Sequence, residues 1–255
     1  MGEYSASEMM VVVAARQVRD GQVVFVGIGL PFLAAMLAKR THAPRAVLLC
    51  ESGIVDGDPA RLPLSVADPA LVDGTAGIAS MLDYFNLYLF GGRVDVGFIG
   101  GAQVDRWGNV NSTVIGPYAR PKVRLPGSGG ACEIAAQAGQ VWIIMPQDPR
   151  RFVAKVDFVT SPGWCGGPEG RRAFGYRGGG PALVVSDKAL FRFDAAGEMV
   201  LAALHPGVTA DAVQGATGWP LKAAERLEAV DPPTPAELRT IRAIDPTRIF
   251  LDRGA

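Results

Sequence analysis

The chain carries 255 residues, 49% of them hydrophobic, and its 25 Lys and Arg are matched by 25 Asp and Glu. That length can bury a large core as one α/β domain, or as a main domain with a small appendage, and needs no disulfide or metal staple. The even charge excludes functions resting on an overall positive field, such as gathering nucleic acid or anionic lipid, so any basic group must act locally.

The opening stretch MGEYSASEMMVVVAARQVRD contains acidic residues and lacks a basic n-region or an A-x-A cleavage site. It therefore reads as a helix over residues 7–19 that leads into the fold, not as a leader. Residues 23–28 are a continuous β-rich apolar run, hence a buried strand. Pro31 opens a helix to about residue 40, and residues 46–50 form a second buried strand. A Pro/Gly-rich loop then leads to a helix over about residues 79–90 and a third buried run at 94–99. This strand and helix alternation predicts a parallel sheet. Beyond it, the glycine turn at 127–130 precedes a short helical stretch and a strand at 141–145. Further strands are expected near 152–159, 182–193 and 199–205. The tail reads as a helix over 235–243, starting after Thr234 with Pro235 first and Glu237 in its first turn. The expected fold is α/β: an open, mostly parallel sheet covered by helices on both faces, with a β-rich, less regular C-terminal half. No linker divides it, so residues 1–255 are read as a single domain.

Cys50, Cys132 and Cys165 are odd in number, widely spaced and without a CxxC pair, which argues against a disulfide framework or a zinc site and for a reducing cytoplasm. No apolar run approaches the roughly 20 residues of a membrane span. A soluble protein is expected.

In open parallel sheets ligands sit beyond the carboxyl ends of the strands, so residues that directly follow a buried run are the first candidates. Three places qualify. In Cys50-Glu51-Ser52-Gly53 a carboxylate follows a strand and would be partly desolvated, which strips away water that blunts a nucleophile. From spacing alone, a Glu51 that caps the next turn or pairs with an arginine is the commoner case. In Gly100-Gly101-Ala102-Gln103 adjacent glycines allow close backbone approach and the Gln103 amide can donate, unless the segment is simply a tight strand exit. Gly127-Ser128-Gly129-Gly130-Ala131 can present several N–H groups to developing negative charge, and its spacing fits neither a P-loop nor a dinucleotide fingerprint. His42 and His205 lie in no metal-ligand or Ser-His-Asp pattern, and no metal is expected. Arg150-Arg151 and Arg171-Arg172 read as solvated faces, though one pair could attract a coenzyme's phosphates. Trp164 reads as a packing anchor or an interface residue.

Taken together, GQVVFVGIGLP at 21–31, THAP at 41–44, ESG at 51–53, FIGGAQVDRWGNVNST at 98–113, GSGGA at 127–131 and RRFVAKVDFVTSPGW at 150–164 resemble the class I coenzyme A transferase family. The similarity is to β-subunits of the glutaconate CoA-transferase type and extends to Ile244-Asp245-Pro246. The wider family's Ser-Glu-Asn-Gly signature is here Cys50-Glu51-Ser52-Gly53, a departure that suits the glutaconate branch. The resemblance implies that Glu51 is the nucleophile and passes through a covalent glutamyl-CoA thioester. Gly129, Gly130, Gly101, Gln103 and Ser52 are its oxyanion or coenzyme-binding candidates. Coenzyme A is implied as co-substrate, with no tightly bound cofactor. An α-type partner subunit is implied because the glycine-rich coenzyme signature of that half is absent, in an α2β2 or larger heteromer with the active site near the interface. A small dicarboxylate such as glutaconate is the acid expected. Relatives on this fold include CoA-ester hydrolases and decarboxylases, in some of which the glutamate is replaced, so retention of Glu51 favours transfer. A reading from another class is a noncatalytic metabolite sensor on the same scaffold.

Overall fold

In the computed structural model, which describes residues 4–252, α1 (Ala6–Ala15) opens the chain. A capping box closes its first turn: Ser5 Oγ accepts from the Glu8 N–H while the Glu8 carboxylate accepts from the Ser5 N–H. Next come β1 (Val23–Val26), α2 (Leu30–Lys39), β2 (Val47–Cys50), and the short β3 (Ile54–Val55) and β4 (Gly77–Ile78). α3 (Met81–Asp83) runs directly into a π-helical turn at Tyr84–Leu89, followed by β5 (Val96–Ile99). Two small hairpins follow, β6 (Gln103–Val104) with β7 (Val110–Asn111) and β8 (Val114–Ile115) with β9 (Val123–Arg124). Then come α4 (Ala131–Gln137), β10 (Gln140–Ile144), α5 (Pro168–Ala173), β11 (Pro181–Val185), β12 (Ala189–Phe193), β13 (Met199–Leu204), α6 (Ala210–Gly215), β14 (Lys222–Ala229) and α7 (Pro235–Ile244).

Ten strands form one sheet in the order β14-β13-β12-β11-β10-β5-β1-β2-β3-β4. The centre, β11-β10-β5-β1-β2, is parallel throughout. Antiparallel strands flank it on both sides, and β14 lies parallel to β13 at one edge. Successive central side chains enter opposite faces, as the two-residue period of a strand requires. Val24, Val26, Leu48, Val96, Phe98, Trp142 and Ile144 pack with α1, α2 and α7 on one face. Phe25, Leu49, Ile99, Val141 and Ile143 pack with α4 and the Tyr84–Leu89 turn on the other. Helical cover on both faces explains why these runs show no polar alternation. Glu8, 1% exposed, ties the N-terminal helix to the C-terminal segment through Arg242 at 2.7 Å and Arg248 at 3.4 Å.

Several expected elements take a different form. Residues 79–90 are not one regular α-helix but α3 plus the π-turn. Residues 152–159 form no extended strand: Phe152 meets Val104 through a single bridge. β10 already has β5 and β11 on its two sides, so no edge is left there, and Phe152 is apolar because its ring packs on Phe191 and Trp219. Residues 182–193 break into β11 and β12, because Ser186 Oγ accepts from the N–H groups of Lys188 and Ala189 and turns the chain. β14 has no expected counterpart, since its mostly exposed KAAERLEA sequence lacks apolar alternation.

Candidate active site

The chain leaves β1 for β2 on one side, while β1's other neighbour is β5. The crevice beyond the carboxyl ends of β1 and β5 is thus the point where strand order reverses, the usual ligand position in open α/β sheets. A cavity of about 170 Å³ lies there, lined among others by Gly27, Phe98, Gly100, Ser128 and Gly129, with Glu51 from the end of β2.

Glu51 and Ser52 form the tip of a tight turn between β2 and β3, closed by the Gly53 N–H on the Cys50 carbonyl at 2.9 Å. Gly53 has φ +93° and its missing Cβ would fall 2.0 Å from the Ala79 carbonyl oxygen, so only glycine lets this turn lie against the exit from β4. Facing it, the Gly130 N–H donates to Glu51 Oε2 at 3.2 Å. A Cβ on Gly130 would sit 2.5 Å from Phe85 Cζ and 3.0 Å from Glu51 Oε2, which leaves no room for a side chain. Behind Phe85 stand Phe25, centroids 5.7 Å apart, and Tyr84, whose hydroxyl donates to the Ile54 carbonyl at 2.6 Å. An aromatic wall thus holds both the glutamate turn and the glycine loop.

The glycine loop is anchored from its other end. Ser112 Oγ donates to the Gly127 carbonyl, and the Gly127 N–H donates to the Ser112 carbonyl, both at 2.8 Å. Ser112 is in turn set by Thr160 Oγ1 and by the fully buried Asn111, whose amide donates to Gln103 Oε1 at 2.7 Å and to the Val114 carbonyl at 2.6 Å. Gln103 also accepts from the Asp157 N–H.

Of the residues singled out from sequence, Glu51, Gly129 and Gly130 meet at one cavity. Ser52 does not line it, and its hydroxyl oxygen is buried without a hydrogen-bond partner. Gly101 lines a neighbouring cleft, its preceding residue Gly100 lines the Glu51 cavity, and the Gln103 amide is engaged in the scaffold. Phe85, Asn111 and Ser112 are the positions sequence reasoning missed; Asn111 and Ser112 lay inside the FIGGAQVDRWGNVNST stretch without a role attached. Arg171 corrects the solvated-face reading: it is 3% exposed and donates to the carbonyls of Gly163 at 2.8 Å and Ala135 at 3.0 Å, among others. Arg172 is exposed beside Glu169. The indole N–H of Trp164 donates to the Pro181 carbonyl, consistent with packing.

Burial, reinforced by the adjacent Glu51 charge, pushes the Cys50 thiol up to about 12, so it stays protonated near neutral pH. Burial likewise pushes the Tyr84 phenol up. Among the described residues, no cluster of His, Cys, Asp and Glu is placed to hold a metal ion, and no helix is long and apolar enough to cross a membrane.

The coenzyme A transferase family model matches residues 7–216. The chain is 46% identical over 246 residues to the B-type subunit of 3-oxoadipate CoA-transferase from Pseudomonas knackmussii, covering 96% of this chain and 95% of that one. It is 42% identical over 255 residues to the B-type subunit of glutaconate CoA-transferase from Acidaminococcus fermentans, covering 97% and 95%. The crystal structure of the Acidaminococcus enzyme superposes with a TM-score of 0.91 over 98% of both chains at 41% identity. The decarboxylase AibA/AibB superposes with a TM-score of 0.84 at 29% identity over 98% of both chains. An aligned length spanning nearly every element, with the strand-rich half included, places this chain in the coenzyme A transferase family, as a CoA-transferase subunit of the B type.

Proposed function

We propose that Glu51 is the nucleophile through which this subunit, paired with an α-type chain, moves coenzyme A from an acyl-CoA to a carboxylic acid. The observation that carries the reading is the Glu51 carboxylate in the switch-point cavity, held through Oε2 by the Gly130 N–H. Glu51 Oε1 attacks the thioester carbonyl carbon, the C–S bond breaks, and CoA departs as a thiolate from a mixed anhydride. The thiolate then attacks Glu51 Cδ and the acyl carboxylate leaves, so a glutamyl-CoA thioester remains. An incoming carboxylate reverses both steps. While Cδ is tetrahedral its oxyanion is Oε2, the atom already facing a backbone donor. One such donor is typically worth about 2.7–4 kcal/mol of barrier. The energy of the thioester is kept only if water is excluded while the anhydride exists.

The acid is a small dicarboxylate, a reading supported by the names of the two B-type relatives. Coenzyme A serves as co-substrate with no resident cofactor, the assembly is α2β2 or larger, and three free thiols suit a cytoplasmic setting. Decarboxylation, the activity named for AibA/AibB, is the second reading, supported by the 0.84 superposition. The experiment co-purifies this chain with its α-type partner and incubates the complex with acetyl-CoA alone. The expected result is a CoA-sized mass increment on the Glu51 peptide and its absence in Glu51→Gln, which also loses exchange without losing assembly. Exchange at full rate in Glu51→Gln would defeat the reading, and release of carbon dioxide from glutaconyl-CoA supplied in place of acetyl-CoA would support the second.

A further inference from the structure

The Glu51 cavity does not end at its own walls. Gly27 and Gly100 line it, while the residues that follow each of them in sequence, Ile28 and Gly101, line a second cleft of about 410 Å³. Val66 lines the first space and Leu64, two residues earlier in the same loop, the second. The two spaces thus adjoin at the carboxyl edge of the sheet.

Arg151 lines this second cleft. Its backbone is pinned, with its N–H on the Asp148 carbonyl at 3.0 Å and its own carbonyl accepting from Val104 at 2.8 Å. Its Nε donates to Asp148 Oδ2 at 3.0 Å, which orients the guanidinium while Nη1 and Nη2 take no hydrogen-bond partner among the described residues. Arg150 shares the same Asp148, so two guanidinium groups face one carboxylate and a net positive charge is left over. Ile28, Leu30, Met145 and Phe250 add apolar side chains to the same cleft. A pinned, oriented fork with spare Nη donors beside apolar side chains matches a carboxylate on a short carbon chain.

We propose that this second cleft seats the distal anionic group of the acid substrate and that Arg151 recognises it, so Arg151 sets the preference for dicarboxylates. The inference rests on Glu51 as the acceptor of the reacting carboxylate. The test compares glutarate with butyrate as acceptors from acetyl-CoA, using the complex with its α-type partner carrying wild-type chain, Arg151→Gln or Arg151→Lys. The expected result is a fall of about 10- to 100-fold in the glutarate-to-butyrate ratio of kcat/KM for Arg151→Gln, the range for a lost hydrogen bond to a charged group. Arg151→Lys, which keeps the charge but not the fork, should fall in between. An unchanged ratio overturns the proposal. So does a rise in the KM of acetyl-CoA that lowers both acceptors alike, which would place a coenzyme phosphate at Arg151 instead. If Arg151→Gln fails to assemble, Arg151→Lys reads the same ratio. The mass increment on the Glu51 peptide, measured on each complex, keeps the two readings apart: its absence with exchange intact strikes at Glu51, whereas an unmoved ratio with the increment present strikes only at Arg151.

Discussion

Replacing Gly130 with alanine adds one carbon where the structure has none to spare. Gly130 lies at φ −80°, ψ 0°, a conformation open to alanine, so the substitution introduces no left-handed strain and its cost is local contact. The new Cβ would fall 2.5 Å from Phe85 Cζ and 3.0 Å from Glu51 Oε2. Either the ring or the loop must move by about 1 Å, since unstrained carbon contacts begin near 3.5 Å. Overpacking of this kind costs about 1–3 kcal/mol of stability. If the loop yields, the Gly130 N–H leaves Oε2, and a donor of this class is worth about 2.7–4 kcal/mol of barrier, or 100- to 1000-fold in kcat. The assay is acyl exchange at saturating substrates by the complex with its partner, alongside thermal melting. A second variant, Phe85→Leu with Gly130→Ala, removes the ring atom that the Cβ meets, so part of the lost kcat should return. The reasoning is refuted if Gly130→Ala keeps full kcat, or if Phe85→Leu makes its defect deeper, because relief of the clash predicts a compensating coupling between the two.

Other outcomes follow from the same contacts. Tyr84→Phe leaves the buried Ile54 carbonyl without its 2.6 Å donor and should cost about 1–3 kcal/mol in urea unfolding. Arg171→Met strips donors from carbonyls between Ala135 and Gly178 in a buried setting, with an expected loss of about 3 kcal/mol or more in the same measurement. Burial lowers His205 from 6.5 to about 4, the nearby Asp187 opposing it only in part. A depressed folded value means that the unfolded chain binds the extra proton first. The stability present above pH 6.5 is therefore lost as pH falls toward 4, by about 3 kcal/mol. His205→Leu should flatten the melting temperature across that window, and an equally steep profile would contradict the assignment.

How much of this was readable in advance depends on whether the deciding contact was local. Residues 46–50 read as a buried strand because both faces are covered, and Glu51 stood out because it directly follows that run. The capping box at Thr234 and Glu237 is a three-residue relation and was legible as such. The meeting of Glu51 with Gly130 joins positions 79 residues apart, and no periodicity reports that distance. Residues 79–90 read as a helix, yet the π-turn that brings Phe85 onto Gly130 packs its Tyr84 and Phe85 rings on Phe25, a residue the local pattern does not contain. Arg171 looked like a surface cation because its five carbonyl partners are contributed by α4 and the loops at 162–163 and 178.

Gln103 shows the same limit at the site itself, and with a consequence for the chemistry. An amide just past a strand's carboxyl end reads equally well as a ligand donor or as scaffold, because composition cannot tell which way the chain turns next. Here it folds back as the β6–β7 hairpin, and Gln103 is engaged by Asn111 and Asp157. Through Ser112 that network reaches Gly127, and through the loop it reaches the N–H on Glu51. On the proposed reading, the polar residues between 103 and 113 bear on the reaction through the placement of one backbone donor. Loosening Asn111 should cost turnover in proportion to how far Gly130 drifts from Oε2, because a hydrogen bond lengthened beyond about 3.5 Å no longer stabilises the charge it faces.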